Sequence, residues 1–266
     1  MDHSRSPKAL EQSLREIEEA RTPVMGRATD YPSGWHIQPH EHSKHQLIYA
    51  VQGVMVVRAE AGRWVVPPTR AIWMLAGMRH EIRCIGEVHM RSLLVMPDAA
   101  PKLLDETQAV GISPLLRELI AAAMAVQQPY ASGTRDGRVM RLLLDELRAL
   151  PVLPLHLQLP TDARLLQICE RLQRRPHDAS TMTDWSQRLA VDVKTIQRLF
   201  VKETGMTFGQ WRQQARLLRA LEMLATGERV IEVAMALGYD SPSAFATMFR
   251  RQFGQTPSQF FTAVQD

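Results

Sequence analysis

Histidine is concentrated in one short run of this chain. Residues 39–46 read PHEHSKHQ, which sets His40, His42 and His45 within six positions. A neutral imidazole is a common transition-metal ligand and a ready hydrogen-bonding group. The run therefore suits a catalytic metal, a metal sensor, the polar lining of a ligand pocket, or ordinary hydrogen-bonded strand residues. On an extended strand alternate side chains share a face, so His40 and His42 project together, whereas His45 has the opposite parity and falls outside. An enzyme would also need an acid or base close by. Only Glu41 and Glu81 are near in sequence, and both alternate away from the adjacent histidine. Neither a Ser/His/Asp set nor a phosphate-binding loop is present.

A second set of residues suits a different chemistry. In DWSQRLAVDVKTIQRLFVKE, Lys194, Arg198 and Lys202 recur every four residues and form one basic stripe on a helix. Such a stripe is either a solvated face or a contact for a polyanion. The chain carries +4 net charge over 266 residues, and residues 160–266 hold 14 Lys and Arg against 11 Asp and Glu, so most of the excess lies there. With 45% hydrophobic residues, there is enough apolar material for two modest cores. No apolar run approaches the roughly 18 residues that cross a bilayer, and the charged N-terminus is unlike a secretory signal. A cytoplasmic protein without a membrane partner is expected. Cys84 and Cys169 lack CxxC spacing and read as small buried hydrophobes.

The elements that position these residues divide the chain. Residues 1–20 form a polar lead with a short, frayed amphipathic helix. Residues 21–98 hold runs such as HQLIYAVQ, GVMVVRAE, GRWVVPP, AIWML and HEIRCI, broken by Gly and Pro, which predicts a small β-barrel or sandwich. Residues 99–150 carry two segments of helical period, a pair whose leucine-rich faces LLRELI and MRLLLDEL either cover the barrel or form a dimer seam. PVLPLHLQLP, within residues 151–160, is a proline-rich linker. Residues 161–266 are helical throughout.

That last part contains a helix, tight turn and helix twice, at about 183–202 and 230–252. In the first unit Trp185, Leu189, Val191, Ile196, Leu199 and Phe200 face inward, and Asp192 caps a helix starting at Val193. In the second, Val230, Ile231, Val233, Ala234 and Leu237 are inward, Gly238 makes the turn, Ser241 caps and Pro242 begins the next helix. Phe245, Met248 and Phe249 point in, leaving Ser243, Ala246, Thr247 and Arg250 outward. A single helix from Phe208 to Leu224 joins the units as a rigid spacer, which suits two reading helices entering successive faces of the DNA major groove.

Residues 162–261 resemble the DNA-binding domain of AraC/XylS-type transcription regulators. The likeness runs through IQRLF with Thr204 and Gly205, RLLRALEML, and GYDSPSAFATMFRRQFGQTPSQF. Ala190 and Asp192 depart from it, standing where that family usually has Gly and Ser. The resemblance implies double-stranded DNA as a partner, with Lys194, Gln197 and Arg198 reading bases from the first helix and Ser243, Thr247 and Arg250 from the second. Gln197 suits adenine and Arg198 guanine. Lys202, Arg250 and Arg251 suit phosphate.

The N-terminal strands are similar to cupins. Gly34, His40, His42, Gln46 and Gly53 keep the spacing of the first cupin motif, with Gln46 in the place of its glutamate, and Gly77-Met78-Arg79-His80 resembles the second. The resemblance implies a His40, His42, Gln46 and His80 ligand set for a divalent transition metal, the one cofactor suggested. That set lacks an anionic ligand. The preferred reading of the run is a sensor pocket, in which Tyr49, Trp64 and Trp73, with Trp35, wall a small organic effector.

The expected architecture is α+β with two domains: a cupin-like β-barrel with a helical pair, and an all-α double helix-turn-helix domain. The expected function is a sequence-specific DNA-binding regulator that senses a small molecule or a metal. Homodimerisation and contact with RNA polymerase go with that function, and no catalysis is expected. The competing reading is a metal-dependent cupin enzyme with an appended helical domain.

Overall fold

The computed structural model of the chain describes residues 7–60, 62–68, 70–99, 104–153 and 155–262. The chain divides into two compact units, one comprising residues up to Glu60 with Val66–His156, the other Ala61–Val65 with the residues from Leu157 onward.

In the first unit α1 (Pro7–Glu19) precedes β1 (Val24–Tyr31), β2 (His36–His40) and the long β3 (His45–Ala59). β4 (Gly62–Val66) follows in the chain and belongs, through Val65, to the second unit; the first unit resumes with β5 (Arg70–Met74), the long β6 (His80–Val95) and β7 (Gln108–Gly111), then α2 (Pro114–Met124) and α3 (Arg135–Leu147). The polar lead is a tied-down helix: Ile17 is buried, Lys44 donates from Nζ to the Ile17 carbonyl at 2.5 Å, and Ser43 donates from its backbone N–H to Glu18 at 2.7 Å.

β6 organises the sheet. Its second half pairs antiparallel with β1, from Val24 opposite Val95 to Tyr31 opposite Val88. Its first half pairs with β2, where His40 stands opposite His80. On its other side β6 pairs with β3 along almost the whole length, with register shifts between Ala50 and Gln52 and between Gln52 and Val54. β3 pairs in turn with β5, and β5 with β7. Bulges bend a strand and raise its twist. Among the described pairings β1 and β7 are not joined, so the expected barrel is an open sheet.

The two leucine-rich helices are spent on covering that sheet. Leu116, Leu119, Ile120 and Ala123 of α2 and Met140, Leu143 and Leu147 of α3 share one core with Val24, Leu47, Tyr49, Ala71, Trp73, Leu93, Val95 and Val110. Ser113 and Thr134 cap the two helices by accepting from Leu116 N and Gly137 N. The approach is close enough to require glycine at one point, since a Cβ on Gly26 would lie 2.5 Å from the Ala123 carbonyl oxygen.

The second unit continues through β8 (His156–Leu157) and is otherwise helical: α4 (Ala163–Arg174), α5 (Met182–Leu189), α6 (Val193–Thr204), α7 (Phe208–Ala225), α8 (Val230–Ala236), α9 (Pro242–Phe253) and α10 (Pro257–Thr262). α7 is the central element, touching α4, α6, α8 and α10. Its 18 residues span about 27 Å at 1.5 Å per residue. Trp211, Leu217, Leu218 and Leu221 are buried along it, and the Trp211 indole donates to the Gln158 carbonyl at 2.8 Å. Glu222 is buried on the same helix, where Arg63 and Arg219 pair with it. Phe245, Phe249, Phe253 and Phe260 stack edge-on or tilted beneath α9 and α10.

Candidate nucleic-acid interface and sensor site

The two helix-turn-helix units are built by local rules. α5 begins with a capping box in which Thr181 and Asp184 satisfy each other's backbone N–H groups. It ends at Ala190, whose φ of 52° makes it the one non-glycine residue in the left-handed region among the described residues. Asp192 then caps α6, its carboxylate accepting from Lys194 N at 2.8 Å and Thr195 N at 3.3 Å. That charge is engaged by the start of its own helix, which offers positive partial charge. α6 buries Ile196, Phe200 and Thr204.

In the second unit Gly238 turns the chain at φ 76°, and a Cβ there would come within 2.9 Å of the His177 Cα. Ser241 accepts from Ala244 N at 3.1 Å, and Pro242 opens α9, which buries Phe245 and Phe249. One expectation for α8 fails: Ile231 is 53% exposed. The buried positions are Val233, Ala234 and Leu237, and Ile231, two residues from Val233, stands about 200° away around the helix.

All eight residues expected to meet DNA are exposed: Lys194, Gln197, Arg198 and Lys202 on α6, and Ser243, Thr247, Arg250 and Arg251 on α9. The side chains of Lys194, Arg198, Lys202, Arg250 and Arg251 have no hydrogen-bond or ion-pair partner among the described residues. Other arginines of the unit are differently employed. Arg171 binds Asp178, Arg229 binds Glu232, Arg216 donates to the Pro176 carbonyl at 2.7 Å, and Arg212 lies over the Phe208 ring. Those arginines are engaged within the unit, whereas the cations on α6 and α9 are exposed and without a partner among the described residues.

In the first unit His40, His42 and His80 come together, each offering a ligand nitrogen within 4.8 Å of the others. Ring centroids lie 4.3 Å apart for His40 and His80, 5.5 Å for His42 and His80, and 6.1 Å for His40 and His42. Strand parity is not what unites His40 and His42. β2 stops at His40, and His42 lies in the turn before β3. His80 opens β6 opposite His40.

Hydrogen bonds fix the tautomers. Nδ1 of His40 faces the Gln38 carbonyl at 2.8 Å, Nδ1 of His42 the Lys44 carbonyl at 2.8 Å, and Nδ1 of His80 the Met78 carbonyl at 2.9 Å. A carbonyl only accepts, so each Nδ1 carries the proton and each neutral ring keeps its lone pair on Nε2. Nε2 of His80 is buried without a hydrogen-bond partner. Nε2 of His42 lies 3.0 Å from the Gln46 side-chain amide, whose other end lies 3.0 Å from Ser92 Oγ. The structure places the Gln46 amide oxygen at His42 Nε2 and its NH2 on Ser92 Oγ; a bare Nε2 on His42 requires the amide to be turned about, with NH2 to His42 and oxygen to the Ser92 hydroxyl. Burial pushes His80 down to about 3, aided by the neighbouring His40 and opposed by the Met78 carbonyl. Burial lowers His40 as well.

Other residues take different places. His45 accepts from Ala76 N at 3.1 Å and stacks on Trp73, outside the cluster. Tyr49 and Trp73 are core residues beneath α2 and α3, and Trp64 is fully buried on β4. Tyr49 has the opposite parity to Gln46 on β3, and the Trp73 indole donates to the Leu104 carbonyl at 3.1 Å. Trp35 stacks with Tyr31 instead. Ser92 went unpredicted. A small polar residue inside the apolar run MRSLLV, on an inward strand position, was the available signal. Glu81 is engaged by His36 and Arg58, and Glu41 is exposed. Cys84 and Cys169 are free and buried, with the Cys84 thiol pushed up to about 12 by burial.

Comparison with known proteins finds two family models along the chain. The model of the AraC-like ligand binding domain matches residues 22–189, and that of a helix-turn-helix domain matches residues 185–263. The chain is 34% identical over 225 residues to the HTH-type transcriptional regulator NimR of Escherichia coli K12, covering 85% of this chain and 82% of that protein. It is 46% identical over 66 residues to the regulatory protein SoxS of the same organism, covering 24% of this chain and 62% of that one. Among solved structures, ToxT from Vibrio cholerae aligns over 92% of this chain and all of that chain at 9% identity and a TM-score of 0.39.

Proposed function

Since the chain belongs to the AraC family of transcription regulators, we propose that α6 and α9 are its two reading helices. It is a DNA-binding regulator with an N-terminal ligand-binding domain. In our reading Lys194, Gln197 and Arg198 meet base edges from one helix and Ser243, Thr247 and Arg250 from the other, while Lys202, Arg250 and Arg251 take phosphates. The observation that carries this is the set of exposed cations on α6 and α9 without partners among the described residues, beside arginines that are engaged in the fold.

The ligand-binding domain takes a small molecule or a metal, and such an effector acts by binding one arrangement of the protein more tightly than another. We read the chain as a regulator and not as a metal-dependent cupin enzyme. Glu81, near the histidines in sequence, is tied to His36 and Arg58, and Glu41 is exposed, which leaves the cluster without an assigned acid or base. Homodimerisation is proposed through Leu115 and Leu142, exposed on the helices whose other leucines are buried. RNA polymerase is the further partner such a regulator would contact. No described helix is long and apolar enough to cross a membrane, and the proposed location is the cytoplasm.

The test is a comparison of two variants by binding-site selection and salt titration. Arg198→Ala is expected to relax preference at one base position, at a cost of about 1–3 kcal/mol there. Lys202→Ala is expected to weaken all sequences alike and flatten the salt slope by about one. Identical base-preference profiles for wild type and Arg198→Ala would refute the assignment.

A further inference from the structure

The two helix-turn-helix units are joined by more than α7. Arg216, near the middle of that helix, donates from Nε to the Pro176 carbonyl at 2.7 Å, and its guanidinium lies 5.8 Å from the centre of the Tyr239 ring. Pro176 belongs to the stretch between α4 and α5 that leads into the first unit, and Tyr239 to the turn between α8 and α9 of the second. The two stretches also meet directly. A Cβ on Gly238 would lie 2.9 Å from the His177 Cα and 3.4 Å from the Arg216 guanidinium, so backbone packs on backbone with no room for a side chain.

Both stretches are held at their other ends. On the first side Asp178 accepts from Arg171 of α4 at 2.8 Å and from the Ser180 backbone N–H at 2.9 Å. Arg212 of α7 donates to the Ser180 carbonyl at 3.3 Å, and Arg188 of α5 to the Ser180 hydroxyl at 3.1 Å. Thr181, which caps α5, follows at once. On the second side the Tyr239 ring packs on Phe245 of α9, with centroids 5.5 Å apart. Arg216 therefore bears on the start of α5 through one contact and on the start of α9 through the other. A helix of about 27 Å sets how far apart the units stand, but does not by itself set their rotation about it. A cross-tie between them does.

We propose that Arg216 is a positioning residue: it sets the angle between α6 and α9, and with it the base-pair spacing at which the two helices read DNA. A guanidinium suits the task, since it donates through its edge while its delocalised charge sits over an aromatic ring, whereas an ammonium is a point charge. The consequence is large because duplex DNA is a screw. Moving a half-site by one base pair shifts it by about 3.4 Å and turns it by about 35° around the axis. Two units held at one angle fit a single spacing, whereas units free to rotate fit several. This role rests on α6 and α9 being the reading helices.

The experiment uses the full chain and a duplex selected from a randomised pool, together with derivatives that have one base pair inserted or removed between the two contacted patches. Wild type is expected to bind the parent spacing more tightly than either neighbour by about tenfold or more, the order of one lost base contact. Arg216→Ala should lower that ratio by about tenfold, the order of one hydrogen bond to a charged group, while the preferred bases within each patch stay as in wild type. Arg216→Lys keeps the charge and the stem but not the fork, so it should lower the ratio by about threefold. It carries the test where Arg216→Ala does not fold. With two patches contacted by wild type, the proposal is overturned by any of three results: no spacing preference in wild type, an unchanged ratio in the folded variants, or equal loss of spacing and base preference. A single contacted patch in wild type would instead overturn the assignment of the reading helices, and this role with it.

Discussion

Acidification should destabilise the first unit through His80, and the size of the effect follows from its surroundings. The ring is 2% exposed, near His40 and His42, and its Nε2 has no hydrogen-bond acceptor to receive a proton. In the unfolded chain the ring titrates near 6.5, whereas burial holds it at about 3 in the folded protein. The unfolded state therefore takes up the proton first. This contribution to stability is intact above about pH 6.5 and is lost progressively as the pH falls toward 3. The slope is about 1.4 kcal/mol per pH unit, so acidification from pH 7 to pH 5 costs about 2 kcal/mol. For a unit of this size that is about 4–8 °C in Tm. The lowered pKa of His40 acts in the same direction. The assay is scanning calorimetry of the full chain with chelator present, wild type against His80→Gln, at both pH values. Wild type should lose about 4–8 °C more than the variant between them. Parallel losses in the two proteins would show that His80 is not held neutral by burial.

Other perturbations separate structural from reading residues. Phe249→Ala removes a fully buried ring packed against Phe245, Phe253 and Phe260, and should cost about 3–5 kcal/mol in denaturant unfolding. Arg250→Ala, one residue along but exposed, should shift stability by no more than about 0.5 kcal/mol while lowering the salt slope of DNA binding by about 0.9. Ala190→Gly relieves a left-handed φ of 52° and should stabilise the second unit by up to about 1 kcal/mol, measured as a rise in denaturation midpoint. Gly26→Ala puts a Cβ 2.5 Å from the Ala123 carbonyl oxygen, so displacement of α2 should cost about 1–3 kcal/mol in the same measurement.

What could be read from the sequence was whatever local rules determine. The start of α6 after Asp192, the Ser241-Pro242 start of α9 and the exposure of Arg198 and Thr247 depend on residues within one or two turns. The family resemblance through GYDSPSAFATMFRRQFGQTPSQF rests on the same local signals. Long-range placement was less legible. His40, His42 and His80 do converge, but His42 arrives by a turn and not by strand parity. The register shifts in β3 near Gln52 depend on the opposing strand and leave no mark in β3 alone. Aromatic residues suit both pockets and cores, so the sequence around Tyr49 does not separate the two. The odd parity of Tyr49 relative to Gln46 places it on the face that α2 and α3 cover. For the same reason Leu116 and Leu143 joined the core, leaving Leu115 and Leu142 at the surface.

We propose that one chain reads DNA through two helices, α6 and α9, joined by α7. Methylation-interference footprinting on a fragment selected from the source genome by the purified protein addresses it directly. Two patches of major-groove interference are expected on one face of the duplex, about one helical turn or 10 base pairs apart, with Arg198→Ala abolishing one and Thr247→Ala weakening the other. A single patch, or two patches that respond alike to both substitutions, would contradict it.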